Sequence, residues 1–126
     1  MSDHGGPRLS TINIGAPVPG ELARFYATLL GGEVTTDDAQ WATVRLPGGA
    51  TGLAFQLEQH YVPPVWPAGR GEQQMQVHLE IQVDDLERAA AWALQCGARL
   101  ADYQPQDDVR VCLDPAGHPF CLWIAT

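Results

Sequence analysis

The sequence predicts an α+β fold of two βαβββ modules, with strands forming a curved, cup-like mixed sheet and helices on its outer face. Three observations predict it. Several short segments alternate apolar and polar residues with period 2. Two longer segments carry apolar residues at helical spacing. The order of these segments then repeats after roughly 65 residues.

The first strand is expected over residues 9–15, where Ile12 and Ile14 fall on one face and Thr11 and Asn13 on the other. From Glu21 to Leu30 the period changes. Leu22, Phe25, Tyr26, Leu29 and Leu30 recur at helical spacing, Pro19 and Gly20 introduce the segment, and Gly31 supplies a stop. Strands are expected at Trp41 to Leu46 and Gly52 to Leu57, joined by the glycine-containing turn Pro47-Gly48-Gly49-Ala50-Thr51, with a weaker strand at Glu33 to Thr36.

The second module opens with the alternating run from Val77 to Val83. Asp84 reads as the N-cap of a second helix, with Glu87 three residues on completing a capping box. Leu86, Ala89, Ala90, Ala93 and Leu94 line one face of that helix, and Gly97 ends it. Strands follow at Arg99 to Ala101, Val109 to Leu113 and Phe120 to Ile124, the last two joined by the turn Asp114-Pro115-Ala116-Gly117-His118.

An offset of 67 residues lays Thr11 on His78, Phe25 on Trp92 and Val44 on Val111. The organisation expected is one domain, with module 1 at about 9–59 and module 2 at about 77–126. Between them, the Pro- and Gly-rich stretch of about 60–76 reads as a linker. In each module the apolar strand face packs on its own helix and the polar face is left free. Thr11, Asn13, His78, Glu80 and Gln82 fall on that free face, the expected lining of a small-molecule pocket.

Composition narrows the function classes. A length of 126 residues with 45% hydrophobic and 17% charged residues describes a folded domain. A net charge of −8, from 15 acidic and 7 basic residues, opposes binding to nucleic acid. The dispersed acidic residues read as a solvated surface. Residues 1–8 carry no signal-peptide pattern, and no apolar stretch approaches the ~20 residues that span a bilayer, so a cytoplasmic protein without a membrane partner is expected. Cys96, Cys112 and Cys121 are odd in number and lack CxxC spacing, which fits a reducing compartment. Only Cys121 is retained as a functional candidate.

Three segments carry a resemblance to a known family. The run Leu22-Ala23-Arg24-Phe25-Tyr26-Ala27-Thr28-Leu29-Leu30-Gly31 resembles the helix of a glyoxalase-like domain. The runs His78-Leu79-Glu80-Ile81-Gln82-Val83-Asp84-Asp85-Leu86 and Asp114-Pro115-Ala116-Gly117-His118-Pro119-Phe120-Cys121-Leu122 are similar to its second-module strand and final β-turn-β. With Pro64-Val65-Trp66-Pro67 between them, the resemblance to the vicinal oxygen chelate (glyoxalase/bleomycin-resistance) superfamily covers about residues 9 to 125. It implies a paired βαβββ fold that cups a substrate or a divalent metal, often as a homodimer. Members include metal-dependent isomerases, epimerases, lyases and ring-cleaving dioxygenases, and metal-free proteins that sequester antibiotics, so fold alone does not fix activity.

The family's metal positions, carried over residue by residue, fall on Thr11, Gln56, His78 and Cys121. His78 is a good ligand, Gln56 a weak one and Thr11 a poor one, and Cys121 would be a soft thiolate, so no metal cofactor is expected. The reading is a metal-free protein that binds a small organic molecule in a cleft between the modules. Its lining would be Thr11, Asn13, Trp41, Gln56, Trp66, His78, Glu80 and Cys121, with Arg110 available to a substrate carboxylate. Trp41 and Trp66 would stack on a flat ligand; Trp92 and Trp123 read as structural. His4, His60 and His118 receive no role. One alternative is a lyase, isomerase or dioxygenase, using a divalent metal on His78, Gln56 and Cys121 or using Glu80 and His78 as acid-base groups. The other is a drug-sequestering resistance protein.

Overall fold

The computed structural model describes residues 5–49 and 51–125, so His4 and Ala50 lie outside the described residues. The chain divides into two compact units, one ending at Leu57 and one beginning at Glu58. Residues 60–76 fall within the second unit.

The first unit contains β1 (Thr11–Ala16), α1 (Pro19–Leu30), β2 (Glu33–Asp37), β3 (Trp41–Arg45) and β4 (Gly52–Leu57). Its sheet has the order β1-β4-β3-β2, with β1 parallel to β4 and the other pairs antiparallel. A parallel pair cannot be closed by a hairpin, and here α1, β2 and β3 make the crossover. The helix begins two residues before the expected Glu21, because Pro19, whose fixed φ suits N1 and which has no N–H to satisfy, starts the first turn. Gly31 ends it at φ 70°, its N–H bonded to the Ala27 carbonyl. Leu22, Phe25 and Tyr26 are buried, as are Ala42, Val44, Leu53 and Phe55 on the sheet face that receives them. Tyr26 stacks on Phe55 at 5.7 Å and takes the edge of Phe25 at 4.8 Å. Each such large apolar side chain contributes roughly 1.5–3 kcal/mol when fully buried.

The second unit contains β5 (Leu79–Gln82), α2 (Leu86–Cys96), β6 (Arg99–Leu100), β7 (Val109–Leu113) and β8 (Pro119–Trp123). Its sheet order, β5-β8-β7-β6, repeats that of the first, again with one parallel pair, β5 with β8. The N-cap is Asp85, not the expected Asp84: Asp85 Oδ1 accepts from the Arg88 N–H at 3.0 Å. Placing the cap there starts the helix at Leu86, where the buried stripe Leu86, Ala90 and Ala93 also starts. Leu94 lies on the flank of that stripe and is 43% exposed, and Trp92 is 42% exposed, so neither belongs to the core. Cys112, Phe120 and Leu122 form the sheet side of this core.

Strand pairing repeats between the modules: Ile14 lies beside Phe55 and Leu79 beside Phe120, partners separated by the same length of chain in both parallel pairs.

Among the described residues no helix is long and apolar enough to cross a membrane.

Candidate functional site

Alternation along β5 and β8 decides which side chains share a face. Leu79 and Ile81 of β5, with Phe120 and Leu122 of β8, turn toward α2. Glu80 and Cys121, directly opposite each other in register, therefore turn the other way, and His78, two residues before Glu80, turns with them. His78 Nε2 and Glu80 Oε2 are 2.6 Å apart, a short charge-assisted bond. The Cys121 sulfur lies within 4.8 Å of the Glu80 carboxylate, so one carboxylate stands beside both neighbours.

The burial of the three differs in a useful way. Cys121 is only 3% exposed, whereas the side chains of His78 and Glu80 are 23% and 54% exposed. Burial, reinforced by the negative charge of Glu80, by Cys112 and by the hydrogen bond to Glu80, pushes the Cys121 thiol up to about 11. Near neutral pH it is a neutral hydrogen-bond donor. The open side of the site is thus a histidine and a carboxylate, and its floor is a thiol.

Trp66 forms the wall. Its ring lies 4.9 Å from that of His78 at an interplanar angle of 33°, and the ring of Tyr103 meets it edge-on at 5.4 Å. Trp66 is half-buried and Tyr103 is exposed, so indole and phenol surface remains for a flat ligand. Tyr103 was not among the candidates read from the sequence, and it lies in the loop between β6 and β7.

Arg110 does not share this site. It lies beside Leu122 in register, on the α2 face, and there its guanidinium donates to the carbonyls of Asp107 and Val109 and reaches Glu87 of α2 at 3.5 Å. The structure thus places Arg110 apart from His78, Glu80 and Cys121, with which the sequence reading had grouped it.

In the first unit, Asn13, Gln56 and Trp41 share the face turned away from α1. Trp41 is the register partner of Gln56, and Asn13 Nδ2 donates to Gln56 Oε1 at 3.1 Å. The Thr11 hydroxyl bonds to that of Ser10 at 3.2 Å. The polar face of the first module thus carries two carboxamides bonded to each other. Carboxamides offer neutral hydrogen bonds and do not move protons.

A metal can be tested against these donors. One ligand atom each from His78, Glu80 and Cys121 lies within 4.8 Å of the others. Imidazole, carboxylate and thiolate are a usable zinc set, and Glu80 supplies a third donor that the family positions do not include. Against this, the 2.6 Å between His78 and Glu80 is shorter than the about 3.3 Å expected between two ligands tetrahedrally placed on zinc at ~2.0–2.1 Å. Among the described residues no buried side-chain nitrogen or oxygen lacks a hydrogen-bond partner, so none points at a missing group. The donors fit a divalent metal by type, and their spacing fits mutual hydrogen bonding.

A second polar cluster, absent from the sequence expectations, joins the β7–β8 turn to the segment before β5. Asp114, fully buried, accepts from the backbone N–H groups of Ala116 and His118 at 2.9 and 3.0 Å. It also bonds His118 Nδ1 at 2.9 Å. His118 Nε2 lies 3.3 Å from the Tyr61 hydroxyl, which donates to the Ala116 carbonyl at 2.8 Å. His118, to which no role was assigned from the sequence, therefore has structural partners.

A family profile for the glyoxalase-like domain matches residues 11–123. No curated protein matches the chain. Among solved structures, a glyoxalase/bleomycin resistance protein/dioxygenase family enzyme from Burkholderia phytofirmans PsJN superposes with a TM-score of 0.71 at 16% identity, covering 95% of this chain and 100% of its own. A glyoxalase family protein from Enterococcus faecalis gives 0.67 at 18% identity, over 92% and 96%. A glyoxalase-related enzyme from Fulvimarina pelagi gives 0.65 at 18%, over 94% and 88%. At these identities the structures speak for the fold, and the profile, spanning both βαβββ modules, speaks for the family. The chain belongs to the glyoxalase-like domain family.

Proposed function

We propose that this protein binds a small organic molecule on the polar face of its second module, against Trp66 and Tyr103, without a metal. The observation that carries the reading is the 2.6 Å bond between His78 and Glu80 beneath the Trp66 ring. A partly exposed imidazole and carboxylate beside an aromatic wall combine apolar contact with directed hydrogen bonds, the usual character of a ligand site. A ligand with a hydrogen-bond donor would meet Glu80, and a flat portion would lie on the indole. The Cys121 thiol, kept protonated, adds no competing charge. A screen of small organic molecules by tryptophan fluorescence tests the reading, with turnover of each hit followed by mass spectrometry. Hits that bind wild type and lose affinity in Trp66→Ala and Glu80→Gln support it; hits indifferent to both substitutions overturn it.

The convergence of three donors within 4.8 Å favours a second reading, in which His78, Glu80 and Cys121 hold a divalent cation. The cation would act as a Lewis acid on a bound carbonyl or hydroxyl. In this chain the cost falls on Cys121, which must lose its proton, so uptake would release protons and strengthen as pH rises. Metal analysis of tag-free protein, with Glu80→Gln and Cys121→Ser beside it, separates the two readings.

A further inference from the structure

We infer that Tyr61 and His118 are positioning residues that latch the segment before β5 onto the β7–β8 turn and so hold Trp66 over His78. The inference rests on the proposed role of the Trp66 wall.

The latch begins with Asp114. Its carboxylate fixes the turn by accepting from the N–H groups of Ala116 and His118, and it fixes the imidazole by accepting from His118 Nδ1. The opposite ring nitrogen faces the Tyr61 hydroxyl at 3.3 Å, and the two rings pack with centroids 5.4 Å apart. That hydroxyl has one proton and gives it to the Ala116 carbonyl at 2.8 Å, so its hydrogen bond ties it to the turn and its ring contact ties it to His118. Burial, then the charge of Asp114, raises the Tyr61 pKa, so the phenol stays protonated and able to donate.

A second contact lies two residues further on. A Cβ at Gly117 would stand 3.2 Å from the Cβ of Pro63, so Pro63 lies against the turn where glycine leaves room, and Gly117 itself sits at φ +92°. Tyr61 and Pro63 therefore both seat on the 114–118 turn. Val65 then bonds its N–H to the Gln73 carbonyl at 2.8 Å, and Trp66 follows immediately. Among the described residues, 58–78 contains no strand beyond the isolated bridge of Val65 with Gln74. A segment so short of ladder bonds takes its position from side-chain anchors. The anchors at Tyr61 and Pro63 precede Trp66 by five and three residues, too few for the chain to absorb their loss.

The test uses the intact protein and the ring protons of His78, which lie in the field of the Trp66 indole at 4.9 Å. Imidazole spectra are recorded for wild type, Trp66→Leu, Tyr61→Phe and His118→Gln, with melting temperatures alongside. Tyr61→Phe keeps the ring and removes only the hydroxyl. The expected result is a shift of the His78 ring protons in Tyr61→Phe toward their position in Trp66→Leu, with the melting temperature nearly unchanged. His118→Gln should shift them the same way, and it carries the test if Tyr61→Phe does not fold. His78 ring protons that keep their wild-type position in the folded latch variants would overturn the inference. The readout needs no ligand, so failure of the binding proposal leaves it interpretable.

Discussion

The Cys121 thiol should be nearly silent toward alkylation near neutral pH. Its pKa rises from the ordinary 9.0 to about 11, with burial as the main cause and the Glu80 charge next. Two units leave about hundredfold less thiolate at about pH 8 than in an unperturbed cysteine, and the thiolate is the nucleophile. Iodoacetamide time courses on native and urea-unfolded protein, read by peptide mass spectrometry, measure the ratio, with the half-buried Cys96 as internal comparison. Glu80→Gln removes the carboxylate charge but not the burial, so it should speed alkylation without reaching the unfolded rate. The same shift has a stability consequence. A group raised on folding contributes fully below its unfolded pKa, and that contribution is lost as pH climbs from about 9 through about 11. Two units amount to about 3 kcal/mol for Cys121, and the fully buried Cys112, raised alike, adds to the alkaline fall. Alkylation of native Cys121 at the unfolded rate, or a slower rate in Glu80→Gln, would refute this account of the site floor.

Three further outcomes are expected. Asp85→Ala should destabilise the protein by ~1 kcal/mol through loss of the cap, whereas Asp84→Ala should stay within about 0.5 kcal/mol in urea unfolding. Phe55→Ala should cost roughly 3–5 kcal/mol, because it opens a cavity beneath Tyr26, and calorimetry would register a large drop in melting temperature. Arg110→Ala should leave the affinity of any screening hit unchanged, since its guanidinium faces α2; a clear loss of affinity would restore it to the site.

The elements were legible because their periods differ. The alternation of Ile12 and Ile14 and the spacing of Leu22, Phe25 and Tyr26 each left one reading. The cap of α2 was ambiguous: Asp84 and Asp85 are adjacent, and the capping-box pattern favours Asp84 because Glu87 follows three residues later. The backbone chose Asp85, whose carboxylate reaches Arg88 N–H. The face of Arg110 was hidden for another reason. Val109, Val111, Cys112 and Leu113 place apolar side chains on both sides of β7, so alternation gives no parity there. Alternation placed His78 and Glu80 on one face, and the family resemblance brought in Cys121; that Glu80 lies directly beside Cys121 is set by the pairing of β5 with β8, which the sequence pattern did not reveal. The Tyr61 to His118 contact spans 57 residues and joins a loop to a turn, neither of which has a period to read. Tyr103 escaped for the same reason.

The central claim is that the His78 and Glu80 pair and the Trp66 wall act on an organic ligand without a metal. Calorimetric titration of the best screening hit into chelator-treated wild type and Glu80→Gln tests it most directly. Binding that survives chelation and is lost in Glu80→Gln is the predicted result. Binding abolished by chelation and restored by added Zn²⁺ would contradict it.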